Sequence, residues 1–334
     1  MKEVAIDPRS TTRTIASFAG LAALILTAIA GIALGAVQLT PSEIYSVITG
    51  NASVEAAQII TNIRLPRVIA GACVGINLAI AGCILQGIFS NPMADTGTTG
   101  ISAGAGFAAI LIMLAFPEHT ALVPIVAFAG GMTTACIVFW VAWKDGLSPL
   151  RLILAGMIIG SFCGALTTIL FVFFSDRVQN VVTWMAGSLQ TQTWTHVYMI
   201  LPYTIIGLIC IFWAYRQLNL LQLGEAAAQG LGVNLTQTRL LLLALSALLA
   251  GSAVSVAGMI GFVGLIIPHI VRMIVGSDFE YLLPTSALFG SALLVGADTL
   301  SRYLFSPIEV PVGIFTALLG TPFFIYLLQK RSPR

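Results

Sequence analysis

The amino-acid sequence predicts an all-α, polytopic integral membrane protein with ten transmembrane helices. Three observations carry that prediction. First, 58% of the 334 residues are hydrophobic and only 8% are charged, against roughly 25% charged in an ordinary soluble domain. Second, the few charges are separated by long apolar gaps. Third, lysine and arginine fall unevenly on the two sides of the crossings that those gaps imply. A soluble enzyme is excluded because so few charges cannot clothe a water-facing surface. Disorder is excluded because it needs low hydrophobicity and high net charge, and the net charge here is +2. Nothing in the sequence reads as a nucleic-acid footprint.

A helix needs about 20 mostly apolar residues to cross the hydrocarbon core, so the distance between charges counts the spans. Between Arg13 and Glu43 lie 29 uncharged residues, between Arg67 and Asp95 27, between Asp95 and Glu118 22, between Glu118 and Lys144 25, and between Arg151 and Asp176 24. Each gap holds one crossing. The first apolar run, about 23 residues long, exceeds the 7–15 of a secretory signal core and is read as a span. The 38 residues between Arg177 and Arg216 allow one span and a short extra helix, with Trp184 and Trp194 suited to the membrane interface. Glu280 to Asp298 encloses 17 residues, extendable toward Tyr303, and Glu309 to Lys330 encloses 20.

The stretch from Arg239 to Arg272 covers roughly 50 Å at about 1.5 Å per residue, more than one core and less than two. Gly258, Gly261 and Gly264 interrupt it. They predict a full helix over 240–257, a bend, and a short return helix ending near Pro268. Backbone freed by such a break must be satisfied inside protein or water.

With the N-terminus in the cytosol, the inside set of basic residues is Lys2, Arg9, Arg13, Lys144, Arg151, Arg216, Arg239, Arg272, Lys330, Arg331 and Arg334. Arg64, Arg67, Arg177 and Arg302 remain outside. Eleven against four satisfies the positive-inside rule and supports the even span count, with both termini cytosolic. Small-x-x-x-small pairs at Gly71/Gly75, Gly100/Gly104, Gly156/Gly160 and Gly160/Gly164 predict close helix approach, chiefly within the chain.

Chemistry is sparse. Cys73, Cys83, Cys136, Cys163 and Cys210 lie in predicted spans without a C-x-x-C pair, and His119, His196 and His269 lack ligand-like spacing. Neither a metal site nor a cofactor is expected. The run Gly100-Ile-Ser102-Ala-Gly104 matches G-x-S-x-G, so an intramembrane serine protease using Ser102 is one alternative, though the motif opens a helix rather than a strand-to-helix elbow. No lysine follows a glycine, so the chain lacks a phosphate-binding loop and nucleotide-driven work must come from a partner. An ion-coupled secondary transporter is the other alternative, but only Asp298 lies inside a span, four residues before Arg302, where a helical salt bridge accounts for it.

Several blocks carry a likeness to a known family: Arg64-Leu-Pro-Arg-Val-Ile-Ala-Gly71, Ala81-Gly82 through Gln86, Asn91-Pro-Met-Ala-Asp95, Trp184-Met-Ala-Gly-Ser-Leu189, Gly261-Phe-Val-Gly-Leu-Ile-Ile-Pro-His-Ile-Val-Arg272 and Glu309-Val-Pro-Val-Gly313. They run in this order, and the likeness covers about 15–330. They resemble the FecCD-type permease subunits of ATP-binding-cassette importers for ferric siderophores, haem and vitamin B12. The resemblance implies one membrane-spanning domain over 1–334 with the type II ABC importer permease fold, in a bacterial cytoplasmic membrane. It also implies two cytosolic ATPase subunits, a periplasmic or lipoprotein substrate-binding protein, and a second permease subunit, identical or paralogous. A ferric siderophore is the leading ligand class, haem and cobalamin the alternatives.

The same resemblance implies the site residues. Arg64, Arg67 and Arg302 would receive carboxylates of the binding protein. Within the segment 218–232, Leu223, Gly224, Glu225, Ala226, Gly230 and Gly232 would couple to the ATPase. Asn91, Pro92 and Met93 with Ser148, Pro149 and Leu150 would form a cytosolic gate. Gly156, Gly160 and Gly164 would line the pathway and give the fifth span a smooth side toward the partner subunit.

Overall fold

A computed structural model of the chain describes residues 9–35, 37, 40–144, 147–306 and 308–330. Lys2, Arg331 and Arg334 of the basic set lie outside the described residues. Helix α1 (Ser10–Ala33) is followed by two short helices, α2 (Pro41–Ile48) and α3 (Val54–Gln58). A π-helical turn over Ile59–Arg64 then runs unbroken into α4 (Leu65–Ile88). Next come α5 (Ile101–Ala115), α6 (Val123–Ala142), α7 (Pro149–Phe173) and the short α8 (Gln179–Met185). The chain continues through α9 (Trp194–Gln222), α10 (Glu225–Gly230), α11 (Leu235–Ala257), α12 (Val263–Val275), α13 (Phe279–Leu304) and α14 (Val312–Lys330).

Seven helices among the described residues are long and apolar enough to cross a membrane, and α5, α12 and α14 are shorter apolar helices. Together they are the ten the sequence predicts. The interfacial helix expected between Arg177 and Arg216 is α8. At about 1.5 Å per residue, α5 and α12 span roughly 20 Å, short of a 30 Å core. Each gets the rest of its depth from non-helical backbone packed inside the protein, where Thr96 and Thr99 precede α5 and Ile260 precedes α12, all buried. Lipid-exposed irregular backbone would cost several kcal/mol per unsatisfied group.

Helix α4 runs through the middle and packs against α9, α11, α12 and α13. In its apolar stretch 83% of residues are buried, against 17% in α1 and 22% in α7, which lie on the periphery. Small residues make that position possible. A methyl group on Gly82 would overlap the carbonyl of Gly264 on α12, and one on Gly75 would overlap the carbonyl of Gly290 on α13. At both crossings backbone meets backbone, as small residues permit in lipid. Polar staples accompany them, such as Asn77 Nδ2 donating to Ser252 Oγ at 3.0 Å.

The glycine break is where the sequence places it. Helix α11 ends at Ala257, Gly258 follows with φ +71°, and Phe262 takes φ +69° before α12 starts. The return helix, however, does not end near Pro268 but continues to Val275. Proline lacks the N–H that would bond the carbonyl four residues earlier, on Gly264. Gln86 Nε2 of α4 donates to that carbonyl at 3.3 Å, and to the Leu265 carbonyl at 3.4 Å. The orphan acceptor is satisfied from outside, so the helix carries on.

The block Trp184–Leu189 closes the core around this break. Ser188 N donates to the Ala257 carbonyl at 2.8 Å, and Gly313 N donates to the Gly187 carbonyl at 3.0 Å. Gln192 Nε2 donates to the Val256 carbonyl at 2.9 Å. The linker after α8 thus ties the end of α11 to the start of α14.

Candidate functional site

The charged groups gather at two ends. At the end predicted to face outward, α4 begins in the sequence Arg64-Leu-Pro-Arg67, where the missing proline N–H is tolerated in a first turn. Arg67 forks onto Asp298 of α13, with Nε to Oδ2 at 2.9 Å and Nη2 to Oδ1 at 2.8 Å, and Nη1 reaches Glu309 Oε2 at 2.9 Å. Arg302 Nε lies 3.2 Å from Asp298 Oδ2, the helical pair expected, although its angle falls outside hydrogen-bond geometry. Arg64 donates to the carbonyls of Ile32, Ala33 and Val37.

The three arginines expected to receive carboxylates of a binding protein are 3–5% exposed in this chain. Charge this close to the membrane is stable only when paired and hydrogen-bonded. Only the Glu309 side chain, 32% exposed, offers the cluster to solvent. Spacing along the chain pairs Asp298 with Arg302 but cannot reveal Arg67 or Glu309 as partners.

At the opposite end, α10 stands between the two long helices α9 and α11. It is bracketed by Gly224 at φ +94° and Gly232 at φ +83°, backbone conformations that favour glycine. Leu223, Glu225, Ala226, Gly230, Leu231 and Gly232 are exposed, while Ala228 is buried. Arg239 of α11 holds the segment: Nη2 meets Glu225 Oε1 at 2.6 Å and Nη1 donates to the Leu147 carbonyl at 2.7 Å. A short exposed helix is thereby tied both to α11 and to the turn before α7.

The residues expected at the gate border different pockets. Asn91 and Pro92 border a pocket with Gln222, His269 and Arg272. Ser148 borders a different pocket with Lys144 and Arg239. Asn91 Oδ1 accepts from Met93 N at 2.9 Å, an Asx turn. Asp95 Oδ1 accepts from the amides of Gly97 at 2.7 Å and Thr98 at 3.3 Å. Burial pushes the Asp95 carboxyl above its ordinary value, and those amides oppose the shift. Pro149 opens α7 and Leu150 is exposed.

On α7 the smooth side expected toward a partner is corrected for two of three glycines. A methyl on Gly156 would strike the backbone of Thr98 and Thr99, and Gly160 faces Gly100 at 3.6 Å. These two seat the start of α5. Gly164 alone faces open space. Large apolar side chains including Met157, Phe162 and Phe173 are exposed along the same helix. Ser102 Oγ donates to Thr96 Oγ1 at 3.3 Å, an arrangement that ties the loop to α5. Among the described residues no group of three His, Cys, Asp or Glu is arranged to hold a metal ion.

Comparison with known proteins agrees with this architecture. The chain is 40% identical over 310 residues to the Fe(3+)-citrate import system permease protein YfmE of Bacillus subtilis, covering 92% of each. It is 42% identical to the hemin transport system permease protein HmuU of Yersinia pestis, covering 93% of this chain and 94% of the other. It is 44% identical to the cobalamin import system permease protein BtuC of Halobacterium salinarum, covering 84% and 76%. A solved structure described as an inward-facing conformation of a metal-chelate type ABC transporter superposes with a TM-score of 0.85 at 33% identity, over 94% of this chain and 98% of that one. The FecCD transport family model matches residues 23–330. A ten-helix membrane bundle with charge confined to its ends, in a chain matched over almost its whole length, belongs to the FecCD transport family of ABC importer permeases.

Proposed function

We propose that the chain carries a ferric-siderophore complex across a bacterial cytoplasmic membrane, with both termini in the cytosol and force supplied by two ATPase subunits. The observation that carries the coupling half of this reading is α10, exposed, framed by glycines and tied through Arg239 to α11 and to the turn before α7. Motion applied to Leu223–Gly232 reaches two long helices by one ion pair and one hydrogen bond. Relatives named for iron-citrate and siderophore transport support the cargo. Identity to the hemin and cobalamin permeases is just as high, so haem or cobalamin is the second reading.

A substrate-binding protein delivers the cargo to the outer end. There Arg64, Arg67 and Arg302 act by exchange: a carboxylate of the binding protein replaces Glu309 on Arg67, the exposed arm of the cluster. A second permease subunit, identical or paralogous, meets the apolar face of α7 at Gly164, and the pathway and cytosolic gate form between the subunits. Asn91 and Pro92 border one pocket and Ser148 another in one chain, which suits a gate completed by two. Uptake assays in cells lacking this chain test the cargo. Loss of ferric-siderophore uptake alone is the expected result. Loss confined to haem or cobalamin would transfer the assignment to that ligand.

A further inference from the structure

Three stretches of backbone meet at the end proposed to face outward: the linker 186–192 after α8, the break between α11 and α12, and the start of α14. They touch with no side chain between them. A methyl group on Gly258 would overlap the Trp184 carbonyl, and one on Gly313 would overlap the Ala186 carbonyl. Gly187, at φ +75°, lies against Met259 and Ile260. The bonds from Ser188 N to the Ala257 carbonyl and from Gly313 N to the Gly187 carbonyl close the junction. Two glutamines leave the same linker for different partners. Gln192 Nε2 bonds the Val256 carbonyl inside the core, whereas Gln190 Nε2 donates to the Glu309 carbonyl at 2.7 Å.

Glu309 is therefore held twice. Its carboxylate meets Arg67 Nη1 at 2.9 Å, and its main-chain carbonyl accepts from Gln190. Only Val310 and Pro311 separate it from α14. Proline fixes its own φ, and the residue before a proline is confined to extended backbone, so this connection is stiff. Displacing the carboxylate from Arg67 shifts the carbonyl that Gln190 grips, and with it the start of α14. Gln190 N also donates to Ser188 Oγ at 3.2 Å. The pull thus arrives beside the residue whose amide holds the end of α11.

We propose that Gln190 is a positioning residue for docking: it conveys the exchange at Glu309 to the junction of the linker, α11 and α14, which loosens when a binding-protein carboxylate takes Arg67. The inference rests on the docking role proposed above for Arg67. It gives that exchange a consequence inside the bundle. A carboxylate arriving at one buried arginine changes how α14 is held against the break between α11 and α12. Gln192, bonded to α11, has no such part and serves as the control.

Hydrogen exchange on the purified full-length chain tests the tether without a partner, with the amides of Ser188 and Gly313 as reporters. Q190M keeps the length of the side chain and removes the donor, and exchange at both amides rises about fivefold, the worth of one net hydrogen bond. E309A removes the grip of Arg67 and gives the same rise, and Q190M/E309A rises no further. Q192M also loosens Ser188, but in that background E309A still adds its own rise. Unchanged exchange in Q190M overturns the inference, as does an additive response of about twenty-five-fold in Q190M/E309A. Should Q190M misfold, unchanged exchange in E309A does so. In proteoliposomes with the ATPase subunits and binding protein, Q190M lowers maximal uptake of a labelled ferric siderophore and leaves the half-saturating concentration of binding protein unaltered. A raised half-saturating concentration at normal maximal uptake would make Gln190 a docking contact and contradict its positioning role. An unaltered half-saturating concentration in E309A would instead remove the docking reading, with the tether still supported by the exchange data.

Discussion

Arg67 is the residue on which the end proposed to face outward turns. Its guanidinium makes three hydrogen bonds to two acids from elements 231 and 242 residues away. Removing one partner of such a buried pair leaves uncompensated charge, a loss of about 3–5 kcal/mol. R67A should lower the melting temperature of the detergent-purified chain sharply, whereas E309Q, at a side chain one-third exposed, should cost about 1 kcal/mol or less. Equal stability of R67A and parent would contradict the pairing. A milder case is Glu43 on α2, whose carboxylate caps the helix through the Thr40 amide at 2.7 Å and hydroxyl at 2.8 Å. These bonds hold its pKa below the ordinary carboxylate value. The capping contribution is therefore complete above that ordinary value and is lost as pH falls through the depressed one. Amide exchange in α2 should rise over that acidic window in the parent and be insensitive to it in E43Q. The arginines themselves were legible in the sequence as outer basic residues, but their burial was not, because sequence spacing says nothing about partners across the bundle.

Elements in this protein are shaped by what surrounds them. The break at Gly258 was legible because glycines at 258, 261 and 264 between two apolar runs leave few other readings. The end of α12 was not. Pro268 reads as a terminator by local rules, and only Gln86, 178 residues away from Gly264, explains why it fails to be one. Q86L should orphan the Gly264 carbonyl at a cost of about 1–3 kcal/mol, with fraying of α12 measurable by hydrogen exchange. Protection unchanged from the parent would show that the proline does not need the glutamine. Glycines divide along similar lines. G82A forces backbone apart at the α4–α12 crossing and should destabilise by about 1–3 kcal/mol, while G164A enters open space and should leave the isolated chain's melting temperature intact. A lower transport rate in G164A with normal stability would locate the partner subunit at that face.

Across the whole molecule, polarity is sorted by depth. Charges lie at the two ends and the interior is stapled by a few neutral groups such as Asn77 and Ser252. The gaps between charges revealed this arrangement before any coordinates, because water and hydrocarbon impose it directly on the sequence. The arrangement of helices around α4 was hidden, since small residues at Gly75 and Gly82 signal close packing without naming the partner. In the function proposed above, directional work arrives through α10. The most direct measurement is uptake of a labelled ferric siderophore by proteoliposomes carrying the permease, with the ATPase subunits and binding protein added or withheld. Uptake should require ATP and both partners, and E225A should leave ATP hydrolysis running without uptake. Accumulation by the permease alone under an ion gradient would contradict the account.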